Sequence, residues 1–276
     1  MKIKLPQDLR RNFRRAALAG VAGWFLGMIL AQQAGMPAPG WVAAAMLAAV
    51  LCALPLVLTG LVLDRLRKTE RELRAMVNLR PMCGPWPLLF EDPAMDAPLA
   101  ELAARLVAEE RPRLIVECGS GSSTVILAAC LRQLGAGRLV SLEHSPEYAE
   151  KTRANLRLAG LASWAVVVTA PLKTHHVRGQ EMLWYDVQPD TLPDTPIDLL
   201  VVDGPPRRVA RRARFPAVPV LRQHLSDRCA VLADDGSTRD VRSMVREWSE
   251  LLDCAAEFHA TRKGAWLLRI PAAKEP

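Results

Sequence analysis

The pattern of apolar and charged positions separates an uncharged N-terminal stretch from a longer, mixed remainder. No Asp, Glu, Lys or Arg occurs within residues 16–63. The segment Gly35–Gly40, which contains two prolines and two glycines, predicts a turn between apolar helices over 16–34 and 41–63. At about 1.5 Å rise per residue, each helix is about as long as the roughly 30 Å core of a bilayer is thick. We therefore predict a transmembrane helical hairpin.

Two other interpretations of this stretch fit less well. A cleaved signal peptide needs small residues before its cut, whereas Gln32 and Gln33 precede Ala34 and a second apolar segment follows. A hairpin buried in a globular protein would normally show a polar face, and neither segment has one.

The region after the hairpin alternates between predicted helices and strands. Residues 64–80 predict a charged stalk helix that continues the second span, and prolines and glycines from Pro81 onward mark the start of a domain over 81–276. Strands separated by helices build a parallel sheet with helices on both faces, so the fold class is α/β. Ligands of such sheets bind beyond the carboxyl ends of the strands. The predicted strands are 114–117, 138–142, 165–169, 197–203, 230–233 and 265–270.

The charge distribution excludes one class of partner and predicts an orientation. The formal net charge is +7, of which residues 1–15 carry +5, residues 64–80 carry +3 and residues 81–276 carry −1. A nucleic-acid-binding domain would be basic in itself, so no nucleic acid is expected. Because basic residues flank the hairpin on both outer sides, both ends should face the cytoplasm, which places the protein in the inner membrane as a multi-pass chain. The six cysteines show no CxxC spacing, which agrees with a reducing compartment.

Acidic residues close the first two predicted strands. Glu117 precedes a turn containing Gly119 and Gly121, and Glu143 ends the next strand. Glu143 is placed to accept both hydroxyls of a ribose, whereas a carboxylate at Glu117 would repel a pyrophosphate but receive an ammonium group. S-adenosylmethionine carries both a ribose and a cationic amino-acid tail. A Rossmann-type nucleotide site is the alternative, although Thr124 stands where its fingerprint has a third glycine.

Four segments resemble successive motifs of the class I S-adenosylmethionine-dependent methyltransferases, nearest the bacterial branch similar to catechol O-methyltransferases. They are "LIVECGSGSSTVILAACL", "LVSLEHSPEYAEKTRANL", "IDLLVVDGPP" and "AVLADDGS". The resemblance implies a Rossmann-like seven-stranded sheet whose last strand, 265–270, is reversed. It also implies that Glu143 binds the ribose, that His144 lies near the adenine, and that the methionine part is held by Glu117, Gly119, Gly121, Ser122 and Ser123.

Three carboxylates follow the fourth and fifth strands and suggest a metal site. Asp203, Asp234 and Asp235 offer the oxygen ligands that Mg²⁺ prefers. In catechol-type enzymes the equivalent positions carry an acid and then an Asp-Asn pair, so Asp235 departs from that pattern. The alternative is that Asp203 orients the acceptor and that Asp234 or Asp235 caps the next helix.

The segment after the third strand offers a candidate base. His175 and His176 are predicted in a long loop that leads to Trp184 and Tyr185, and His175 is the candidate catalytic base beside Asp203. The alternative is a solvated loop histidine. Trp184 and Tyr185 are expected either to stack on the adenine or the acceptor or to pack beneath the sheet edge. An arginine cluster after 204–206 suits an anionic acceptor, lipid phosphates or a solvated helix face: Arg207, Arg208, Arg211, Arg212 and Arg214.

These patterns predict a membrane-anchored S-adenosylmethionine-dependent methyltransferase with its catalytic domain in the cytoplasm. The expected reaction is methylation of an oxygen on a small or lipid-linked acceptor, with membrane lipids as further partners. Two alternatives remain, a related aminopropyl-type transferase and a catalytically silent membrane-bound interaction module that keeps the fold.

Overall fold

The computed structural model describes residues 7–35, 38–83, 95–188 and 190–271. The chain forms two compact units, divided between Arg71 and Glu72. The division lies inside the predicted stalk rather than at residue 81. Gly84, Pro85 and Pro87, which were predicted to end the stalk, lie outside the described residues.

The first unit consists of helix α1 (Gln7–Gln33) and most of helix α2 (Ala38–Cys83). The predicted second span and stalk are thus one continuous helix. Within the described residues, one helical segment, Ala45–Cys83, is long and apolar enough to cross a membrane, and only 6% of its most apolar window is buried. The apolar part of α1, Arg15–Leu30, is shorter. In the described part of the chain, one span therefore meets the length criterion where two were predicted.

Small residues bring the two helices of the first unit close together. A Cβ atom added to Gly23 would lie 2.7 Å from the Ala48 carbonyl oxygen and 2.9 Å from the Cys52 sulfur. At Gly20 an added Cβ would lie 3.5–3.7 Å from Ala53 and Ala49, which is ordinary contact. Glycine at position 23 therefore permits an approach that a larger side chain would block.

The second unit is built on a seven-stranded sheet in the order β3-β2-β1-β6-β7-β9-β8. Strand β9 runs antiparallel to both of its neighbours, and the remaining pairs are parallel, which confirms the predicted reversed strand. The strands are β1 (Leu114–Cys118), β2 (Arg138–Glu143), β3 (Ala165–Thr169), β6 (Ile197–Val202), β7 (Leu225–Ala233), β8 (Ala256–His259) and β9 (Ala265–Arg269), and a separate hairpin pairs β4 (Leu172–Val177) with β5 (Gln180–Tyr185).

Helices cover both faces of the sheet, as predicted. Side chains alternate between the faces along each strand, so Ile115 belongs to one apolar cluster and Val116 to the other. Helices α3, α4 and α5 pack on the first face, and α6 and α7 on the second. Their bounds are α3 (Ala97–Glu110), α4 (Ser122–Leu134), α5 (Pro146–Leu158), α6 (Ala217–Leu221) and α7 (Arg239–Leu252).

Candidate active site

The carboxyl ends of β1, β2, β6 and β7 lie side by side and carry the candidate site. Backbone hydrogen bonds continue past the strands: the Gly119 N–H donates to Leu142, the Asp203 N–H to Cys118 and the Asp234 N–H to Val202. These bonds hold the turns after four strands at one edge of the sheet. The edge is where ligands of this fold class bind.

The turn after β1 needs glycine at its first position. Gly119 has a φ of +95°, and a Cβ atom there would lie 3.3 Å from the Gly204 nitrogen in the turn after β6. Both the backbone conformation and the close approach disfavour a side chain. Gly121 has extended φ, and no described atom lies within 4 Å of where its Cβ would be. A ligand can therefore approach the backbone of this turn at Gly121.

Glu117 is buried beneath the turn and is not exposed on its surface. Its side chain is fully buried, and Oε2 accepts hydrogen bonds from Thr124 Oγ1 at 2.6 Å and Ser141 Oγ at 2.8 Å. Oε1 has no hydrogen-bond partner within the described part of the chain. Burial raises the pKa of this carboxyl to about 7. Removal of water disfavours the charged form, so a nearby cation would favour ionisation.

Thr124 explains why this turn lacks a third glycine. Its hydroxyl donates to Glu117 and accepts from the N–H of Gly121 at 3.0 Å, so one side chain links the strand end to the start of α4. Sequence reasoning counted Thr124 only as a departure from a nucleotide fingerprint and did not consider Ser141. The spacing alone gives no signal for Ser141, since only the register of β1 with β2 places it beside Glu117.

Glu143 joins the turns that follow β1 and β2. Oε2 accepts from the Ser120 N–H at 3.0 Å, and Oε1 accepts from the Ser145 N–H at 2.9 Å. His144 Nδ1 lies 2.9 Å from Oε1. Only 7% of the Glu143 side chain is exposed. The Ser120 hydroxyl also lies 3.3 Å from Oε2, so Oε2 has two hydrogen-bond donors, whereas Oε1 has the Ser145 N–H. Since a carboxylate oxygen offers two lone pairs, Oε1 retains the capacity to accept one further hydrogen bond.

The predicted serines begin helix α4. Ser123 is buried, and the Ser122 hydroxyl is buried without a hydrogen-bond partner among the residues described. The backbone N–H groups of the first helical turn point toward the same edge of the sheet. The two oxygens left unpaired at this turn within the described residues, Glu117 Oε1 and Ser122 Oγ, fit a ligand with polar groups.

The three predicted metal ligands do come together. One oxygen from each of Asp203, Asp234 and Asp235 lies within 4.8 Å of the others. Burial raises the pKa of Asp203, and it raises the pKa of Asp234 to about 7, with repulsion from the neighbouring carboxylates adding to the effect. Asp235 adopts the left-handed conformation, with φ +59°.

A guanidinium occupies the centre of this cluster. Arg214 Nη2 lies 3.0 Å from Asp203 Oδ1 and 2.7 Å from Asp235 Oδ2, and Nη1 donates to the Asp234 carbonyl at 3.1 Å. Sequence reasoning placed Arg214 in an exposed cluster with four other arginines. A usable signal was present, because Arg214 stands within the apolar run 213–218 and a charge in such a run needs a buried partner.

The rest of the arginine cluster lies on turns rather than on a helix face. Arg207 and Arg211 lie 3.3 and 3.9 Å from Asp240, and Arg212 pairs with Glu247 at 2.7 Å. The prediction of a solvated helix face is therefore wrong, since the backbone from residue 207 to residue 214 contains no helix.

The predicted loop around His175 and His176 is in fact the hairpin β4–β5. His175 Nε2 lies 2.9 Å from the Tyr185 carbonyl oxygen, and its ring meets that of Trp184 edge-on. These described contacts give no support to a base role for His175. His176 is exposed and lies 3.2 Å from Glu181. The loop prediction failed because four consecutive positions of β4, residues 173–176, are polar, so the segment shows no apolar alternation.

Trp184 and Tyr185 are core residues, which agrees with the packing alternative. Both side chains are fully buried on one face of the sheet. The Tyr185 hydroxyl has no hydrogen-bond partner in the described ranges, and it contacts the backbone of Gly204 next to Asp203. Sequence reasoning did not consider this hydroxyl as a site group.

Comparison with known proteins identifies the domain. Residues 116–236 match the family model described as "Methyltransferase domain". No curated protein sequence matches the chain. The fold is similar to that of a Podospora anserina methyltransferase solved with SAH bound, with 15% identity over 76% of this chain and 95% of that one and a TM-score of 0.50. It also matches an O-methyltransferase from Bacillus cereus solved with SAH, with 17% identity, 73% and 91% coverage and a TM-score of 0.47.

The segment 116–236 is therefore similar to a methyltransferase domain, and the prediction of an S-adenosylmethionine-dependent methyltransferase is confirmed. The Rossmann-like seven-stranded sheet is confirmed as well. The matched segment begins within β1 and ends directly after Asp235. It therefore includes Glu117, Glu143 and Asp203.

Proposed function

We propose that this protein is a membrane-anchored S-adenosylmethionine-dependent methyltransferase that methylates an oxygen of a small or lipid-linked acceptor at the cytoplasmic face. The choice of cofactor rests on one observation, the edge formed by Glu117, the Gly119–Gly121 turn and Glu143. It combines a buried carboxylate oxygen without a described partner, open space beside Gly121 and a clamped carboxylate at the next strand end. The SAH-bound Podospora protein of the same fold supports the choice of cofactor.

The residues of this edge fit the three parts of the cofactor. The ammonium group would neutralise Glu117, whose pKa is raised by burial. Glu143 would accept one ribose hydroxyl through the remaining lone pair of Oε1 and the other at Oε2 in place of the Ser120 hydroxyl. Ser122 would donate to the methionine carboxylate. Bound S-adenosylmethionine supplies an activated methyl group on a sulfonium.

Asp203 is the proposed proton acceptor for the acceptor hydroxyl. It closes β6 beside the Gly119 turn, and its side chain is 24% exposed, so a substrate can reach it. Its raised pKa makes it a stronger base than an ordinary aspartate. Placement of the acceptor oxygen in line with the methyl group supplies much of the remaining acceleration.

A binding titration tests the cofactor assignment. We expect the full chain in detergent to bind S-adenosylhomocysteine and not NAD⁺ in isothermal titration calorimetry. The carboxylate at Glu117 favours a ligand with an ammonium group over a pyrophosphate. Binding of NAD⁺ alone would contradict the proposal, and a folded chain that binds neither compound would favour the silent interaction module.

The exposed surface of α1 and α2 supports the membrane anchor. Large apolar side chains face outward along both helices, among them Leu18 at 70%, Phe25 at 50% and Leu51 at 62% exposure. Such a continuous apolar surface suits lipid. We propose that both helices enter the bilayer as a hairpin, with the charged residues at their outer ends in the cytoplasm.

An arginine in the apolar part of α2 tests this anchor. Leu51→Arg should weaken membrane retention after a carbonate wash, because an arginine at the centre of a membrane helix costs about 2.5–3.5 kcal/mol on insertion scales. Leu66→Arg is the matched control, since Leu66 is 59% exposed but lies in the charged part of the same helix. Equal retention of both variants would argue that Leu51 does not face lipid.

A further inference from the structure

The Arg214 guanidinium is held in place by the fold of its own segment. The residue lies just before α6, and only 11% of its side chain is exposed. The Trp248 indole N–H donates to the Phe215 carbonyl at 2.9 Å, which ties this segment to α7. The Ala217 N–H donates to the Arg214 carbonyl at 3.2 Å. The Phe215 N–H donates to the Arg212 carbonyl at 2.9 Å, so the backbone on both sides of Arg214 is fixed.

Arg214 pairs with two of the three carboxylates that a divalent cation would need. The carboxylates are close enough together for a hard cation, and their chemistry suits Mg²⁺. Nη2, however, contacts both Asp203 Oδ1 and Asp235 Oδ2, at 3.0 and 2.7 Å. A dication that used these oxygens would lie within a few ångströms of a buried guanidinium, where the repulsion between like charges is strong. The residues present thus do not fit a bound metal ion.

A second cation adds to the positive charge already facing the cluster. Lys263 Nζ lies 3.8 Å from Asp234 Oδ2 and 4.0 Å from Asp235 Oδ1. Two protein cations therefore face three carboxylates, and one of these carboxylates, Asp234, is 3% exposed. This balance leaves at most one uncompensated negative charge, which is little attraction for a hydrated dication that must lose water to bind.

We propose that Arg214 takes the place of a divalent cation at the ends of β6 and β7, so that the carboxylate cluster is closed to Mg²⁺ and methyl transfer proceeds without a metal. The part of this inference that concerns methyl transfer to the acceptor rests on the proposed function. The hydroxyl proton passes to the free oxygen of Asp203, the acceptor oxygen bonds to the methyl carbon, and the electron pair of the carbon–sulfur bond returns to sulfur. The closure of the cluster to metal does not depend on that function.

Binding of Mn²⁺, a spectroscopic substitute for Mg²⁺, tests the closure directly. The full chain in detergent is titrated with Mn²⁺ and the free ion is followed by electron paramagnetic resonance. We expect the carboxylate cluster of the wild-type protein to bind no Mn²⁺. Any Mn²⁺ binding by the wild type should therefore be the same in Asp203→Asn. Arg214→Ala should bind Mn²⁺ at least about tenfold more tightly than wild type, because a buried positive charge is lost beside three carboxylates. Arg211→Ala, at an exposed position three residues earlier, is the matched control and should behave as wild type.

Each outcome decides the inference. If the wild type binds Mn²⁺ and Asp203→Asn does not, the inference is overturned. If both proteins bind Mn²⁺ equally, the ion lies outside the carboxylate cluster, as the inference requires. A folded Arg214→Ala protein that binds no more tightly than wild type overturns the role of the guanidinium. If Arg214→Ala does not fold, the wild type and Asp203→Asn still decide whether the cluster takes metal. Titration of the same samples with S-adenosylhomocysteine reports separately on the proposed function.

Discussion

Replacement of Glu143 by alanine is expected to weaken binding of S-adenosylhomocysteine by roughly 100-fold, or about 3 kcal/mol, since hydrogen bonds to a charged group contribute about 1.5–3 kcal/mol each. Two effects act together. The variant loses the proposed acceptor of the ribose hydroxyls, and it also releases the Ser120 and Ser145 N–H groups that the carboxylate holds. Both turns that face the cofactor would then lose their common anchor.

A nearby glutamate provides the control for this experiment. Glu147 is exposed in the first turn of α5, four residues after Glu143, so Glu147→Ala should bind as wild type does. Calorimetric titration of the full chain in detergent measures both variants, and circular dichroism verifies that each is folded. Wild-type affinity in a folded Glu143→Ala protein would contradict the ribose assignment.

The strands of the main sheet could be predicted where burial is continuous. Every residue of β6, Ile197–Val202, is buried, and its apolar run is visible in the sequence. Strand β8 and the hairpin β4–β5 could not be predicted in this way. Their side chains are largely exposed and polar, as in Lys173 and His176 of β4, so their strand conformation depends on pairing with a neighbour rather than on local pattern.

The site could be predicted where its residues follow strands directly, and not where the fold brings distant segments together. Glu117, Glu143 and Asp203 each lie at or next to the end of a strand, so their common edge followed from the sheet class alone. Arg214 is separated from β6 by turns, and only the packing of that segment on α7 carries its side chain back to Asp203. The sequence thus predicted the three carboxylates but not the cation among them.

Replacement of Arg214 by methionine is expected to destabilise the methyltransferase domain by about 3 kcal/mol, because removal of one partner from a buried ion pair leaves charges that are neither solvated nor paired. For a domain of this size the midpoint of thermal unfolding should fall by about 6–12 °C. Methionine keeps an apolar chain of similar shape, so lost charge rather than lost volume is measured. Arg212→Met is the matched control, since Arg212 pairs with Glu247 nearer the surface.

The pH dependence of this loss separates a charge effect from a packing effect. Without Arg214, mutual repulsion should raise the pKa values of Asp203 and Asp234 further above those of the unfolded chain. The native variant then binds more protons than the unfolded chain between about pH 4 and the raised pKa values, so its stability rises as the pH falls through that window. We therefore expect the deficit relative to wild type, followed by thermal unfolding in detergent, to be large at about pH 8 and small at about pH 5. A deficit of equal size at both values would show that Arg214 stabilises the domain through packing, and the ion-pair account of the cluster would fail.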